Sequence, residues 1–196
     1  MTDEERARRA DELLNIGAQA YRQGDYQTAK DYYEQSAQLG QSQAACNLGY
    51  IYAYGRLGQR DDERAFYYFS LAAVDGNSNA LYKVGDAYYW GNFVAKSPQL
   101  AFKYYRKAER CLDLERDDDD LRADVYYRLA LCYFHGIGTA SDAFAALSYI
   151  NLAHTYSYYD RLHDKFRWQS LAEKIARLRE EIIAALDAQV AGEGQG

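Results

Sequence analysis

Apolar residues recur along most of this chain at spacings of three and four, the spacing of one face of an α-helix. In the stretch AACNLGYIYAYG, Leu48, Gly49 and Tyr52 share such a face. In the stretch AFYYFSLAAVDGN that follows, Ala65 and Phe69 belong to a second face of the same kind. The pattern predicts two amphipathic helices in succession, joined by a short loop.

The helix pair is repeated. Gly49 and Gly85 are 36 residues apart, and so are Ala65 and Ala101. A further copy contains Ala130 in the place of the glycine, displaced by 45 residues instead of 36. A period in this range is typical of helical repeat proteins, in which each unit buries its apolar face against its neighbours.

Glycines mark the predicted helix ends, where a left-handed residue commonly closes a helix. Gly55, Gly91 and Gly136 follow the first helices, and Gly40 and Gly76 follow second helices. Small residues on the paired faces predict close helix crossings, with neighbouring rings filling the grooves. We therefore interpret most of the 21 tyrosines as core residues.

The pattern resembles the Sel1-like repeat family, a branch of the tetratricopeptide-like α-solenoids. The resemblance rests on AACNLGYIYAYG…AFYYFSLAAVDGN, NALYKVGDAYYWG…AFKYYRKAE and VYYRLALCYFHG…ALSYINLAH. The first repeat is closer to a plain tetratricopeptide repeat, since Gly17 and Ala29 are twelve residues apart, whereas Gly49 and Ala65 are sixteen apart. The four repeats cover approximately residues 11–40, 42–76, 78–110 and 123–154.

The resemblance implies an all-α fold, a right-handed α-solenoid of about four helix pairs in a single domain over residues 1–190. After the last repeat, residues 162–190 are predicted to form a capping helix, since a solenoid needs its last apolar face covered. Its stripe could instead pair two copies of the chain in a homodimer. We expect residues 191–196 to be disordered. The stripe consists of Leu171, Ile175, Leu178, Ile182 and Leu186.

Composition narrows the function classes. The net charge of −6 argues against a nucleic-acid-binding protein, which normally has a basic face. No apolar run approaches the roughly 20 residues of a membrane span, and the charged N-terminus lacks the apolar core of a signal peptide. The three cysteines are odd in number and far apart, so we expect a reducing cytoplasm.

An acidic run, Asp117–Asp120, lies in the extra residues between the third and fourth repeats. A solvated loop or a helix N-terminus is the favoured interpretation, since charge runs are usually exposed. A contact for a basic partner is the alternative. The spacing of a calcium-binding loop does not follow.

No catalytic motif was found. Histidines and cysteines do not occur at metal-ligand spacing, and there is no phosphate-binding loop or nucleophile motif. The sequence therefore predicts a protein that is not an enzyme and needs no cofactor or metal.

The remaining candidate is a surface for a protein partner. The resemblance implies that the first helix of each pair lines a concave groove, which receives a partner peptide or helix. Asn47, Lys83 and Arg128 occupy equivalent steps and form a predicted polar row with aromatic residues beside it. The predicted groove residues are Asn47, Tyr50, Tyr54, Tyr82, Lys83, Asp86, Tyr89, Trp90, Tyr127, Arg128 and Phe134.

We predict a protein–protein interaction scaffold that binds a partner peptide or helix in this groove. One hypothesis is that the partner carries an acidic or carboxylate group, which would form charge-assisted hydrogen bonds with Lys83 and Arg128. The opposing interpretation is that both cations are solvated or pair with Asp86 and Asp124, and that several aromatics belong to the core. Two further alternatives are a small ligand or a reaction in the concave pocket, and a structural homo-oligomer formed through the C-terminal helix.

Overall fold

A computed structural model describes residues 1–112 and 119–193. Over these residues the chain is helical with no strand, which confirms the all-α class. The chain divides into two compact units, Met1–Lys96 and Ser97–Gly196. The first contains α1 (Asp3–Arg22), α2 (Tyr26–Gln38), α3 (Ser42–Ala53), α4 (Asp62–Val74) and α5 (Ser78–Trp90). The second contains α6 (Pro98–Arg110), α7 (Asp119–His135), α8 (Ala143–Leu162) and α9 (Trp168–Glu193).

The five helix ends that the sequence marks with a glycine lie where they are predicted. All five glycines expected to close a helix have positive φ, from +60° at Gly55 to +96° at Gly40. The starts are capped by short polar side chains. Asp61 accepts a hydrogen bond from the Arg64 backbone N–H at 2.9 Å, and Asp142 caps α8 in the same way at the same distance. Each cap satisfies an N–H that has no partner within its helix.

In the first two repeats, the two helices cross at a glycine covered by an aromatic ring. A Cβ added at Gly49 would lie 2.6 Å from the Phe69 ring, and one added at Gly17 would lie 2.7 Å from the Tyr33 ring. Real Cβ atoms do not approach rings so closely. The expectation that small residues permit close crossings is therefore confirmed, and it explains why these positions are spaced so regularly.

Tyrosines also stack between the helices of a pair. The rings of Tyr52 and Tyr68 are 5.6 Å apart and nearly parallel in the first unit. Tyr133 and Tyr149 have the same arrangement in the second unit, with centroids 5.5 Å apart. Because one ring geometry recurs at equivalent positions, the repeat in the sequence is also a repeat in the structure.

The same tyrosines connect consecutive repeats through carboxylates. The Tyr68 hydroxyl donates to Glu34 of α2 at 3.4 Å, and the Tyr149 hydroxyl donates to Glu109 of α6 at 2.8 Å. Burial and the nearby Glu34 carboxylate raise the pKa of Tyr68 to about 12. Each tyrosine therefore remains a neutral donor that ties its repeat to the preceding one.

Helix α9 covers the last repeat. Ile175, Leu178 and Ile182 are buried in a cluster with apolar residues of α7 and α8, and Leu171 and Leu186 pack against it. The predicted cap is confirmed, and a homodimer through this stripe would have to expose it first. The helix starts later than the predicted 162–190, because α8 continues to Leu162, and it extends to Glu193. Residues 194–196 of the predicted tail lie outside the described residues.

The acidic run meets the start of a helix. α7 begins at Asp119, so the last two aspartates of the run lie in its first turn, where the helix dipole favours negative charge. Asp117 and Asp118 lie outside the described residues. The helix N-terminus interpretation therefore holds for Asp119 and Asp120.

Because the Gly49–Phe69 contact leaves no space for a methyl group, we expect Gly49→Ala to destabilise the first unit. Overpacking should outweigh the gain in helix propensity and lower the free energy of unfolding by about 1–2 kcal/mol. Urea unfolding followed by circular dichroism measures it. Adding Phe69→Leu should recover part of the loss caused by Gly49→Ala, and an additive double variant would contradict the steric explanation.

Candidate functional site

Four of the predicted groove residues line one cavity in the first unit. Tyr54, Lys83, Asp86 and Trp90 border a cavity of about 300 Å³ between α3, α4 and α5. Trp90 is 58% exposed and Tyr54 is 57% exposed, so both rings are available to another molecule. The other lining residues are Ala53, Arg60, Asp62, Ala65, Phe66, Phe69, Ala87 and Asn92. We call this cavity the α3–α5 pocket.

Aromatic rings hold the Lys83 ammonium in the α3–α5 pocket. Its Nζ lies 5.4 Å from the centroid of the Tyr50 ring and 5.2 Å from that of the Tyr82 ring. These are cation–π distances. Tyr50 in turn stacks on Tyr54 at 5.6 Å and meets Phe69 edge-on at 5.1 Å. The cation is thus supported by rings that continue into the core.

Burial changes the role of Tyr82. Tyr82 is only 7% exposed. Its ring therefore lies beneath Lys83 and offers little surface of its own to a partner. Helical spacing placed it beside the groove, but spacing alone does not distinguish the rim of a groove from its floor.

Asn47 belongs to an amide network outside the α3–α5 pocket. Its side-chain oxygen accepts a hydrogen bond from Gln43 at 2.9 Å, and Gln43 accepts one from Asn77 at 3.0 Å. Tyr50 makes a similar contact, donating from its hydroxyl to Asn79 at 3.2 Å. These bonds connect α3 to the start of α5.

The other predicted residues have mixed surroundings. Tyr89 is half-buried and meets Trp90 edge-on at 4.6 Å. In the second unit, Tyr127 and Phe134 of α7 pack against the buried cluster under α9, as the core interpretation proposed for several aromatics. Arg128 is half-buried on the same helix. The row formed by Asn47, Lys83 and Arg128 involves both units and stays a prediction.

Sequence reasoning missed residues that second helices and loops bring to the α3–α5 pocket. Phe66 of α4 lines it and contacts Phe93 at 6.0 Å between centroids. Phe93 is 54% exposed and has φ of +64°, a conformation that a bulky residue seldom adopts. Arg60 and Asp62 form an ion pair of 2.5 Å at the rim. These residues lie on a second helix and in loops, whereas the predicted groove contains only first-helix positions.

The buried cysteines lack the properties of reactive groups. Burial raises the pKa of the Cys46 and Cys132 thiols to about 12, so neither forms the thiolate needed for nucleophilic attack. Among the described residues, no three side chains of the metal-binding types form a cation site. No helix in the described parts of the chain is long and apolar enough to span a bilayer.

An ionic cluster around the buried Asp160 and the half-buried Lys165 lies in the second unit, at the turn between α8 and α9. Lys165 donates to Asp124 at 2.7 Å and to Asp160 at 3.2 Å, and its third close partner is the Asp120 carbonyl. The pKa of Asp160, which is 2% exposed, is raised to about 6 by burial, against the opposing effect of Lys165. Within the described parts of the chain, no hydrogen-bond partner is found for Oδ1 of Asp160.

This Lys165 cluster fastens the turn before α9 and does not form an accessible site. All three ammonium hydrogens are directed at acceptors, and the Asp160 side chain is 1% exposed, so a substrate cannot reach it. Shifted ionisation often marks a catalytic site, but structural ion pairs produce the same effect. Here the geometry indicates a structural role.

The Asp160 carboxyl should make stability depend on pH. Its folded-state pKa lies above the usual value of an unfolded aspartate, so its stabilising effect is complete below about pH 4 and is lost as the pH rises through about 6. Asp160→Asn cannot titrate. Between pH 4 and 7 the free energy of unfolding of the wild type should therefore fall by about 1–3 kcal/mol relative to Asp160→Asn.

Urea titrations at several pH values measure this difference. Asp187→Asn, which also removes one carboxylate from the second unit but at an exposed position, is the matched control. A constant difference between wild type and Asp160→Asn across this pH range would contradict the assignment.

The fold of the chain defines its class, and its similarity to known proteins defines its family. The helix pairs define a helical repeat protein of the tetratricopeptide-like type. The model of the Sel1 repeat family matches residues 12–41, 42–77, 78–111 and 123–158, so the chain belongs to the Sel1 repeat family. Members of this family generally act as protein–protein interaction scaffolds and are typically non-catalytic.

Two solved structures are similar in fold. A Sel1 repeat protein from Oxalobacter formigenes has 25% sequence identity and a TM-score of 0.63, over 75% of this chain and 58% of that one. The protein c5321, a protective antigen of uropathogenic Escherichia coli with an SLR fold, has 23% identity and a TM-score of 0.61. That match covers 89% of this chain and 38% of the antigen. No curated protein matches the chain.

Proposed function

We propose that this chain is a protein-interaction module that binds a partner segment in the α3–α5 pocket. The observation that carries the proposal is the combination of two exposed rings, Tyr54 and Trp90, with the ring-supported ammonium of Lys83 around one cavity. Tryptophan and tyrosine are frequent anchors of protein interfaces, and a lysine held by aromatic rings can add a charge-assisted contact to them. The general scaffold role of the family supports the same function.

The size of the pocket determines what it takes. A volume of about 300 Å³ is at the lower end for ligand pockets and suits one or two side chains of a partner. Phe66 and Phe69 provide an apolar wall. The expected ligand is therefore a short segment that inserts one apolar or aromatic anchor beside the exposed ring of Trp90.

The charged residues of the pocket determine which chemical group of the partner segment can lie next to Lys83. Lys83 can donate a charge-assisted hydrogen bond to a carboxylate, and its contacts with Tyr50 and Tyr82 limit its side-chain freedom before binding. Asp62 and Asp86 also line the pocket and disfavour a carboxylate placed next to them, although the ion pair with Arg60 offsets part of the Asp62 charge. We therefore propose a partner carboxylate, from an acidic side chain or a chain end, next to Lys83.

A reaction or small ligand in the α3–α5 pocket is the weaker candidate. Its lining contains aromatic rings, two aspartates and two cations, but neither a thiol nor a histidine. The ionic cluster around Lys165 lies in the other unit and is inaccessible.

We also propose a cytoplasmic location for the protein. The three unpaired cysteines support it.

A displayed peptide library with free C-termini tests the proposal. Peptides selected on wild-type protein should place a carboxylate next to an apolar residue. Lys83→Glu should weaken their binding about tenfold or more, because it replaces an attractive charge pair by a repulsive one. Trp90→Ala should weaken it similarly, since interface tryptophans are frequent hot spots. Fluorescence anisotropy with labelled peptides gives the dissociation constants.

The control is Lys174→Glu, which makes the same charge change at an exposed position of α9. It should leave the affinities within about twofold, and thermal unfolding should confirm that all three variants fold. Selected peptides that bind Lys83→Glu and Trp90→Ala as tightly as wild type would move the interface away from the α3–α5 pocket.

A further inference from the structure

Three tyrosines of the first unit surround the guanidinium of Arg56. Its Cζ lies 5.9 Å from the ring centroid of Tyr21, 5.3 Å from that of Tyr26 and 5.7 Å from that of Tyr54. The rings come from three places in the chain, namely the end of α1, the first residue of α2 and the C-cap of α3. We call this arrangement the tyrosine box.

The tyrosine box has the geometry of a site for organic cations. Tyr21 and Tyr26 stand at 68° to each other with centroids 5.1 Å apart, so two ring faces converge from different directions. Tyr54 supplies the third ring and is 57% exposed. Converging electron-rich faces are how proteins bind quaternary ammonium and guanidinium groups. Arg56 shows directly that this box accepts such a group.

Few contacts retain the Arg56 side chain in the box. The residue is exposed, and besides the three rings its side chain makes a 3.3 Å hydrogen bond from Nε to the Tyr21 hydroxyl. It lies in the loop between α3 and α4, next to Gly55 at φ +60° and two residues before Gly58 at φ +118°. The backbone is anchored separately, because the Arg56 N–H donates to the Ile51 carbonyl at 3.0 Å. The side chain can therefore leave without unfolding the loop.

We propose that the tyrosine box is a binding site for an arginine side chain of a protein partner, with Arg56 as its internal competitor. When the partner arginine enters, the Arg56 guanidinium moves into water and keeps its charge. The box is distinct from the α3–α5 pocket, although Tyr54 borders both. A partner that used both would present an arginine to the box and its apolar anchor and carboxylate to the pocket.

The internal competitor should weaken binding only modestly. Three weak cation–π contacts and one hydrogen bond favour the occupied state, but ordering the long Arg56 side chain opposes them. The net preference is therefore small, and Arg56 leaves the box free for an appreciable fraction of the time. Apparent affinity falls in proportion to that fraction, which predicts binding about three- to tenfold weaker in wild type than in a variant without Arg56. The competitor thus adjusts affinity and does not close the site.

The test uses acetyl-arginine amide as the probe and nuclear magnetic resonance of isotope-labelled tyrosine rings as the readout. Acetyl-citrulline amide has the same shape without the charge and serves as the neutral control ligand. Wild type should bind the arginine probe and shift the Tyr26 ring signals, whereas the citrulline probe should not. Arg56→Ala should bind the arginine probe about three- to tenfold more tightly.

Two further variants make the result specific. Arg56→Ala combined with Tyr26→Ala should lose the binding, since one wall of the box is removed. Arg8→Ala removes one arginine from an exposed position of α1, outside both the box and the α3–α5 pocket, and it should bind the probe like wild type. Thermal unfolding confirms that each variant is folded.

Three results would overturn the proposal. Wild type that does not bind the probe while Arg56→Ala does would make Arg56 a fixed structural occupant. Equal affinity of wild type and Arg56→Ala, or unchanged binding without the Tyr26 ring, would show that the probe binds elsewhere. Since neither Lys83 nor Trp90 takes part in this test, its failure would leave the proposed function standing.

Discussion

The contact of the Phe69 ring with the α3 backbone at Gly49 is the constraint on which the candidate site depends. It sets how closely α3 and α4 cross, because even a methyl group at position 49 would collide with the ring. Tyr50 then lies edge-on against Phe69, with centroids 5.1 Å apart, and carries Tyr54 stacked on its own ring. The exposed rings are therefore an extension of the core, and the packing that forms the repeat also positions the site.

The repeat architecture was readable from the sequence because the relevant information is local. A period of 36 and glycines at fixed offsets record which face of each helix is buried, whatever the rest of the chain does. The stripe of α9, centred on Leu178, was readable for the same reason. The spacing of residues does not show how deeply each side chain is buried. Tyr82 and Trp90 are both predicted groove residues, yet one is 7% exposed and the other 58% exposed.

Some residues of the two sites were not predicted from the sequence, because the paths of the loops determine their positions. Arg56 reaches the tyrosine box because a turn at Gly55 directs the chain back toward α1, and Phe93 meets Phe66 through a positive φ. No periodicity encodes such turns, and a bulky residue at positive φ is not expected from its type. Unusual backbone conformations concentrate where loops carry function, so these positions combine low predictability with functional interest.

Tyrosine-supported cations have a consequence for how a partner is recognised. The chain carries a net charge of −6, so its overall field does not attract an acidic partner. Lys83, which is proposed to bind the partner carboxylate, acts only within about one Debye length, about 10 Å at moderate salt. Selection by Lys83 therefore follows the encounter and does not guide it. Association rates with an acidic partner should lie at or below the unsteered range of about 10⁵–10⁶ M⁻¹s⁻¹ and rise with salt, because salt screens the repulsion. Differences in affinity between partners should arise in their dissociation rates.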